Sequence, residues 1–138
     1  MITRMSHTPI WVTDMELAYD FYVNKLGFKV NTDVTMDNGF RWLTINPPQQ
    51  PDLEINLMKI EAGMALTEEQ ATALRGLVSS GAMGAGVFHT DDCRATYAEL
   101  KAKGVTFKGE PEDQFYGTEA ILQDPFGNWF SMTTPKEH

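Results

Sequence analysis

Three flat aromatic side chains, Trp42, Tyr116 and Trp129, flank predicted turns or strand ends, where a ring can stack on a planar or cationic molecule. Trp11 adds a further ring on the first predicted strand, where it faces the same way as His7. Arg41 directly precedes Trp42, so its guanidinium would either hold an anionic group or lie exposed on a strand. These residue types indicate a binding surface for a small organic molecule.

Polar and apolar residues alternate over positions 53–59, as in a strand with one buried face. Glu54 and Asn56 fall on the polar face, where the carboxylate would bind a cationic ligand or pair with His7. His89 ends another predicted strand and would act as an acid or base near neutral pH, or be hydrogen-bonded within the sheet. These residues could therefore form ion pairs or act as acids and bases. Which of these they do depends on how the surrounding strands and helices position them.

The chain repeats one pattern of elements in its two halves. In each half an aspartate precedes a predicted helix, over 15–25 and over 92–103, and a glycine ends it. The bounding residues are Asp14 with Gly27 and Asp91 with Gly104, each 77 positions from its counterpart. The spacing predicts that both halves keep one register.

The repeat continues beyond the helices at an offset of 78 positions. Gly39 aligns with Gly117, Pro47 aligns with Pro125, and an apolar strand follows each proline turn. Each half thus reads as strand, helix and three strands. This order predicts two βαβββ modules, one over about 5–60 and the other over about 83–134.

A connecting helix is predicted over 66–80, because Thr67 and Gln70 have the spacing of a capping box. Its apolar side would carry Ala71, Leu74 and Leu77. The acidic run at 110–113, which contains a proline, is typical of a solvated loop. We therefore predict a single α+β domain whose strands curl into a half-open sheet around an inner cleft, with the helices outside.

The composition restricts the possible partners. The 138 residues carry 11 Lys and Arg against 19 Asp and Glu, a net charge of −8 that would repel nucleic acid or an anionic membrane. No apolar run is long enough to span a bilayer, and the N-terminal residues do not resemble a signal peptide. The one cysteine, Cys93, cannot form an internal disulfide. A cytoplasmic protein is expected.

The paired modules resemble those of the vicinal oxygen chelate superfamily, also called the glyoxalase/bleomycin-resistance/dioxygenase superfamily. The segment from His7 to Asp14, followed by Phe21-Tyr22 and Leu26-Gly27-Phe28, is similar to the opening of glyoxalase I-type proteins. Residues 117–132, with Asp124-Pro125-Phe126-Gly127-Asn128, are similar to their closing module. The resemblance covers about residues 7–134 and implies the paired-module fold and a homodimer.

The resemblance also implies where a divalent metal such as zinc, nickel, manganese or iron would be held. His7 and Glu54 match two of the usual four ligand positions. The other two positions carry Ala85, with Gly84 beside it, and Ser131. Two ligands are fewer than the three that an open catalytic site normally takes, so His89 or water would have to complete the shell.

The sequence therefore favours a protein similar to the bleomycin-resistance members. It would bind a small, planar or cationic molecule in an aromatic cleft without a complete metal site. The ligand-binding residues would be Trp11, Arg41, Trp42, Asn56, His89, Tyr116 and Trp129. The alternative is a metal-dependent lyase or dioxygenase-like enzyme that uses His7 and Glu54. A purely structural role would leave the inward polar residues unexplained.

Overall fold

The computed structural model describes residues 1–137, which divide into two compact units, Met1–Ala73 and the segment from Leu74 onward. Each unit has its own sheet. The first sheet has the strand order β1-β4-β3-β2. Its strands are β1 (His7–Val12), β2 (Lys29–Thr35), β3 (Arg41–Asn46) and β4 (Glu54–Lys59). Strands β1 and β4 are parallel, whereas the other neighbours are antiparallel.

Alternation along these strands separates a buried face from a polar one. Six aliphatic side chains are at most 4% exposed and form the core of this unit together with Phe21 and Tyr22. They are Ile10, Val12, Leu43, Ile45, Ile55 and Leu57. The opposite face carries His7, Trp11 and Glu54, as the period of two predicts.

The helix of the first unit changes its winding part-way. Helix α1 (Met15–Tyr19) begins after Asp14, whose carboxylate accepts a hydrogen bond from the amide of Leu17 at 3.0 Å. The chain then continues as a π-helical segment (Asp20–Lys25), in which the amide of Leu26 donates to the carbonyl of Phe21. Gly27 follows with φ of +78°, the conformation that ends many helices.

Helix α2 (Glu68–Ser79) lies where the predicted connecting helix was placed and contains the boundary between the units. Its capping box is confirmed. The side chain of Gln70 accepts from the amide of Thr67 at 2.9 Å, and the hydroxyl of Thr67 accepts from the amide of Gln70 at 3.1 Å. The predicted apolar side was wrong by one residue, because Val78 is 1% exposed whereas Leu77 is 50% exposed.

The second sheet repeats the topology, with the strand order β5-β9-β8-β6 and a short strand β7 that also pairs with β8. Its elements are β5 (Gly84–His89), α3 (Cys93–Ala102), β6 (Thr106–Phe107), β7 (Glu112–Gln114), β8 (Gly117–Gln123) and β9 (Trp129–Pro135). Strands β5 and β9 are parallel, as β1 and β4 are. The α+β class and the two βαβββ modules are thereby confirmed.

Two predictions for the second unit were wrong. The acidic run is not wholly a loop: Glu112 and Asp113 belong to β7, since they pair with β8 and Asp113 accepts a hydrogen bond from Thr118. The helix begins at Cys93, one residue later than predicted, because Asp92 caps it and its carboxylate accepts from the amide of Ala95 at 3.0 Å. No helix among residues 1–137 is both long and apolar enough to cross a membrane.

Candidate functional site

A chain of polar contacts lies on the polar face of the first sheet. Parallel pairing sets His7 opposite Glu54, and His7 Nε2 lies 2.8 Å from Glu54 Oε2. The other ring nitrogen lies 2.8 Å from the hydroxyl of Ser6, and Thr44 donates to Glu54 Oε1 at 3.1 Å. Both side chains of the pair are partly exposed, at 42% and 32%. The imidazole and the carboxylate are thus already oriented by protein groups.

Asn56 lies beside these polar contacts, because it pairs with Thr44 where β4 and β3 are adjacent. Its side chain is half-buried, and the Oδ1 atom has no hydrogen-bond partner among the described residues. A buried carbonyl oxygen without a donor is costly, so it marks a position where a ligand donor would be favourable. Trp42 lies two residues before Thr44 on β3, so its ring is on the same face of the sheet, where it is 38% exposed.

A cavity of about 650 Å³ opens within the first unit. Its apolar lining includes two aromatic rings and three methionine side chains: Trp11, Phe40, Met15, Met58 and Met64. The volume lies in the range of roughly 300–1,000 Å³ that small-molecule sites occupy. Among the predicted ligand-binding residues of this unit, Trp11 and Arg41 line the cavity, whereas Trp42 and Asn56 do not.

The guanidinium of Arg41 is held by two carboxylates at the cavity wall. Its Nε and Nη2 atoms donate to the two oxygens of Asp33 at 2.8 and 2.9 Å, and its Nη1 donates to Glu16. The hydrogen bond from Arg41 lowers the pKa of the Asp33 carboxyl below its ordinary value. An anionic ligand would have to compete with both carboxylates for this cation.

The second unit carries a cluster of hydroxyl groups around one carboxylate. Tyr116 and Ser131 both donate to Glu119 at 2.5 Å, and Ser131 and Thr133 share a further hydrogen bond at 2.8 Å. The bond to Glu119 raises the pKa of Tyr116 above its ordinary value. Beside this cluster, Glu119 and Lys108 help to line a smaller cavity of about 130 Å³.

The remaining predicted residues of this unit make no hydrogen bond to Glu119 among the contacts described above, and each has a different environment. Trp129 fills the space over Gly84, where a β-carbon would meet the ring at 2.6 Å, and the ammonium of Lys108 lies 5.3 Å from the ring centre. His89 is exposed at the end of β5, where it pairs in register with Thr133. Cys93 is buried, and this burial raises the pKa of its thiol.

Comparison with known proteins agrees with this geometry. Residues 4–132 match the sequence model of the Glyoxalase/Bleomycin resistance protein/Dioxygenase superfamily. The chain belongs to this superfamily. The predicted family resemblance is therefore confirmed over nearly the whole chain.

Three proteins that are similar to this chain match it over most of their own length. The crystal structure of UcmS2 superimposes with a TM-score of 0.89 at 42% identity, over 96% of this chain and 98% of that one. TnmS3, an antibiotic binding protein from Streptomyces sp. CB03234, gives 0.75 at 27% identity, over 98% of both chains. YurT of Bacillus subtilis (strain 168) is 36% identical over 122 residues, which are 88% of this chain and 91% of YurT.

Superfamily membership raises the question of a divalent metal. His7 and Glu54 supply one imidazole and one carboxylate, but the two remaining ligand positions carry a methyl group at Ala85 and a hydroxyl at Ser131 that already donates to Glu119. No group of three His, Cys, Asp or Glu side chains able to hold a metal occurs within residues 1–137. Within the described residues, His7 and Glu54 thus provide two donors, fewer than the three protein ligands that a catalytic zinc or iron site normally takes.

Several residues of these sites were not among the predicted ones. Glu119 was not predicted, although it aligns with Arg41 at the offset of 78 positions. On β8 it lies on the same face as Ile121, which pairs with Ser131 of β9. The methionines of the cavity were also missed. Met64 lies in the turn after β4, where no periodic pattern distinguishes it.

Proposed function

We propose that the protein binds a small, planar or cationic organic molecule in the cavity of the first unit, and that it does so without a metal. The observation that carries the proposal is the cavity itself, which is large enough for such a molecule and lined by Trp11, Phe40 and methionines. The similarity to TnmS3, whose own ligand is an antibiotic, supports binding as the function.

The lining explains how affinity would arise. Aromatic rings stack on flat ligands, and thioether side chains adapt their shape to the surface that they contact. Each square ångström of apolar ligand surface that leaves water contributes roughly 25 cal/mol before the entropic costs of association. Binding of this kind sequesters a molecule and needs no reactive group.

The test is to screen flat aromatic compounds by calorimetry against the wild type and two variants. Trp11→Leu removes a ring that lines the cavity, whereas Trp42→Leu removes a ring of the same sheet face that does not line it. We expect Trp11→Leu to weaken binding about tenfold or more and Trp42→Leu to leave it within about twofold. A ligand that depends on Trp42 and not on Trp11 would place the site over Trp42, outside the cavity, instead.

A metal-dependent lyase or dioxygenase-like enzyme is the second candidate, and the His7 and Glu54 pair favours it. Elemental analysis of untagged protein separates the two proposals. Near-stoichiometric zinc, nickel, manganese or iron that both His7→Ala and Glu54→Ala abolish would favour the metal-dependent enzyme, with His89 or water as the missing ligands. Metal well below one atom per chain in the wild type supports the metal-free binder.

We also propose that the protein forms a homodimer, as the family resemblance implies. Light scattering at micromolar concentration tests this directly. A mass of about 31 kDa, twice the 15.5 kDa of one chain, is expected, and the mass of a single chain would contradict it.

A further inference from the structure

We propose that the ligand of the first-unit cavity is a flat molecule without net charge, because each charged side chain that lines the cavity is paired with an opposite charge that also lines it. This inference rests on the proposed function and narrows it. The proposed function allows a planar or a cationic ligand, and the charges of the cavity distinguish these two classes.

Four charged side chains line the cavity, and they form two ion pairs. Arg41 contacts Glu16, and the ammonium of Lys59 lies 3.7 Å from Glu61 Oε2. The lining therefore carries two positive and two negative charges. No sign is in excess at the surface that the ligand would touch.

Asp33 is a further carboxylate near the cavity, but its oxygens are not available to a ligand. It does not line the cavity, and both of its oxygens accept hydrogen bonds from Arg41. A cationic ligand would have to displace Arg41 to reach it. The same ligand would otherwise compete with Arg41 for Glu16 or with Lys59 for Glu61.

The net charge of −8 does not change this conclusion at physiological salt. A long-range field attracts cations in general, but ions screen it over a Debye length of about 8 Å at 0.15 M. Selection among ligands of equal shape must then come from contacts within the cavity. Those contacts are rings, thioethers, paired charges and the uncharged polar side chains of Thr35 and Asn38, and the rings and thioethers favour apolar flat surface.

The experiment uses three probes that share one tricyclic ring system and differ in charge. Acridine is neutral at pH 8, N-methylacridinium is a permanent cation, and acridine-9-carboxylate is an anion. Calorimetry at 0.15 M and 0.5 M salt gives their dissociation constants. We expect acridine to bind about tenfold more tightly than either ion at both salt concentrations.

Charge variants of the lining test the cause of the preference. Glu16→Gln removes one negative charge and should improve binding of acridine-9-carboxylate about threefold to tenfold, with little change for acridine. Lys59→Met leaves Glu61 unpaired and should improve binding of N-methylacridinium by a similar factor. Lys136→Met, a charge change at an exposed residue that does not line the cavity, should leave the order of the three probes unaltered.

The outcomes separate this inference from the proposed function. Tighter binding of N-methylacridinium than of acridine at both salt concentrations, still lost in Trp11→Leu, would overturn the neutral ligand and leave the binding function standing. Failure of all three probes, while only charged compounds of the screen bind in a Trp11-dependent manner, would also overturn it. If no compound of the screen shows Trp11-dependent binding, the proposed function itself fails.

Discussion

The two units share the βαβββ topology, but their helices differ by one residue. Asp14 caps the first helix and lies 13 positions before Gly27, whereas Asp92 caps the other and lies 12 positions before Gly104. The first unit accommodates the additional residue in its π-helical segment, in which a hydrogen bond spans five residues. A helix can thus absorb an insertion without moving the strand that follows it.

The second difference lies in the strand after the helix, where the second unit, not the first, has the additional residue. From Gly27 to Gly39 there are 12 positions, and from Gly104 to Gly117 there are 13. In the first unit β2 is continuous apart from a bulge near Val30, whereas the second unit divides the same strand into β6 and β7. The inner strands keep their register because one length difference lies in the helix and the other lies in the edge strand.

The aligned residues Arg41 and Glu119 show how the units diverge chemically. Arg41 is neutralised by carboxylates at the edge of a cavity of about 650 Å³, and Glu119 is held by hydroxyls beside one of about 130 Å³. In the second unit Trp129 fills the space over Gly84. The cavity of the first unit is thus the larger of these two, although both units follow the same topology.

The aligned glycines Gly39 and Gly117 provide the sharpest test of this contrast. Both have positive φ, but an added β-carbon meets nothing within 4 Å at Gly39, and it would lie 2.2 Å from the carbonyl oxygen of Thr134 at Gly117. We expect Gly117→Ala to lower the free energy of unfolding by at least about 3 kcal/mol and Gly39→Ala by about 1–2 kcal/mol. Urea denaturation of both variants measures this, and equal losses would refute the steric difference.

The hydroxyl groups that orient the two carboxylates should also differ in their contribution. Ser131→Ala leaves Glu119 with Tyr116 and removes the partner of the buried Thr133, whereas Thr44→Val leaves Glu54 paired with His7. We expect losses of about 1–2 kcal/mol for Ser131→Ala and about 1 kcal/mol or less for Thr44→Val. The same denaturation series decides, and a larger loss for Thr44→Val would contradict the assignment.

The ion pair of Asp33 and Arg41 gives the first unit an acid sensitivity. Because Arg41 lowers the folded-state pKa of Asp33, the pair stabilises the protein fully above the unfolded-state value of about 3.9. That contribution is lost as the pH falls through the folded-state pKa. Unfolding free energies measured from pH 6 downward should therefore converge for wild type and Asp33→Asn below about pH 4, from a difference of about 1 kcal/mol. A gap independent of pH would count against the pair.

The corresponding effect in the second unit is spectroscopic. The hydrogen bond to Glu119 raises the pKa of Tyr116, so its phenol should ionise at higher pH than an unperturbed tyrosine. Glu119→Gln should shift this step to lower pH in an ultraviolet absorbance titration, while Glu99→Gln, an exposed control on α3, should not. An unshifted curve in Glu119→Gln would show that the bond does not form in solution.

Local signals in the sequence predicted the framework of both units. Asp14, Gly27 and the Thr67 and Gln70 capping box predicted helix ends because their chemistry acts on neighbouring backbone atoms. The alternation around Glu54 predicted which strand face is polar. These are features that a few consecutive residues determine.

Features that depend on distant residues were not predictable in the same way. Asp91 and Asp92 are both capable caps, and only the start of the helix decides that Asp92 is used. The π-helical segment has no separate hydrophobic period, so the one-residue change of register was missed. The cavity depends on how the turn that contains Met64 approaches Phe40 on the β2–β3 hairpin, which no local pattern specifies.

The parallel pairing of the first and last strand in each unit constrains the time course of folding. His7 pairs with Glu54 across 47 positions, and Val87 pairs with Ser131 across 44, so each sheet closes only when its last strand arrives. Contacts this distant in sequence pay their loop-closure entropy before any gain, which slows folding. During synthesis the first sheet can be completed once Lys59 has left the ribosome, before the second unit has emerged.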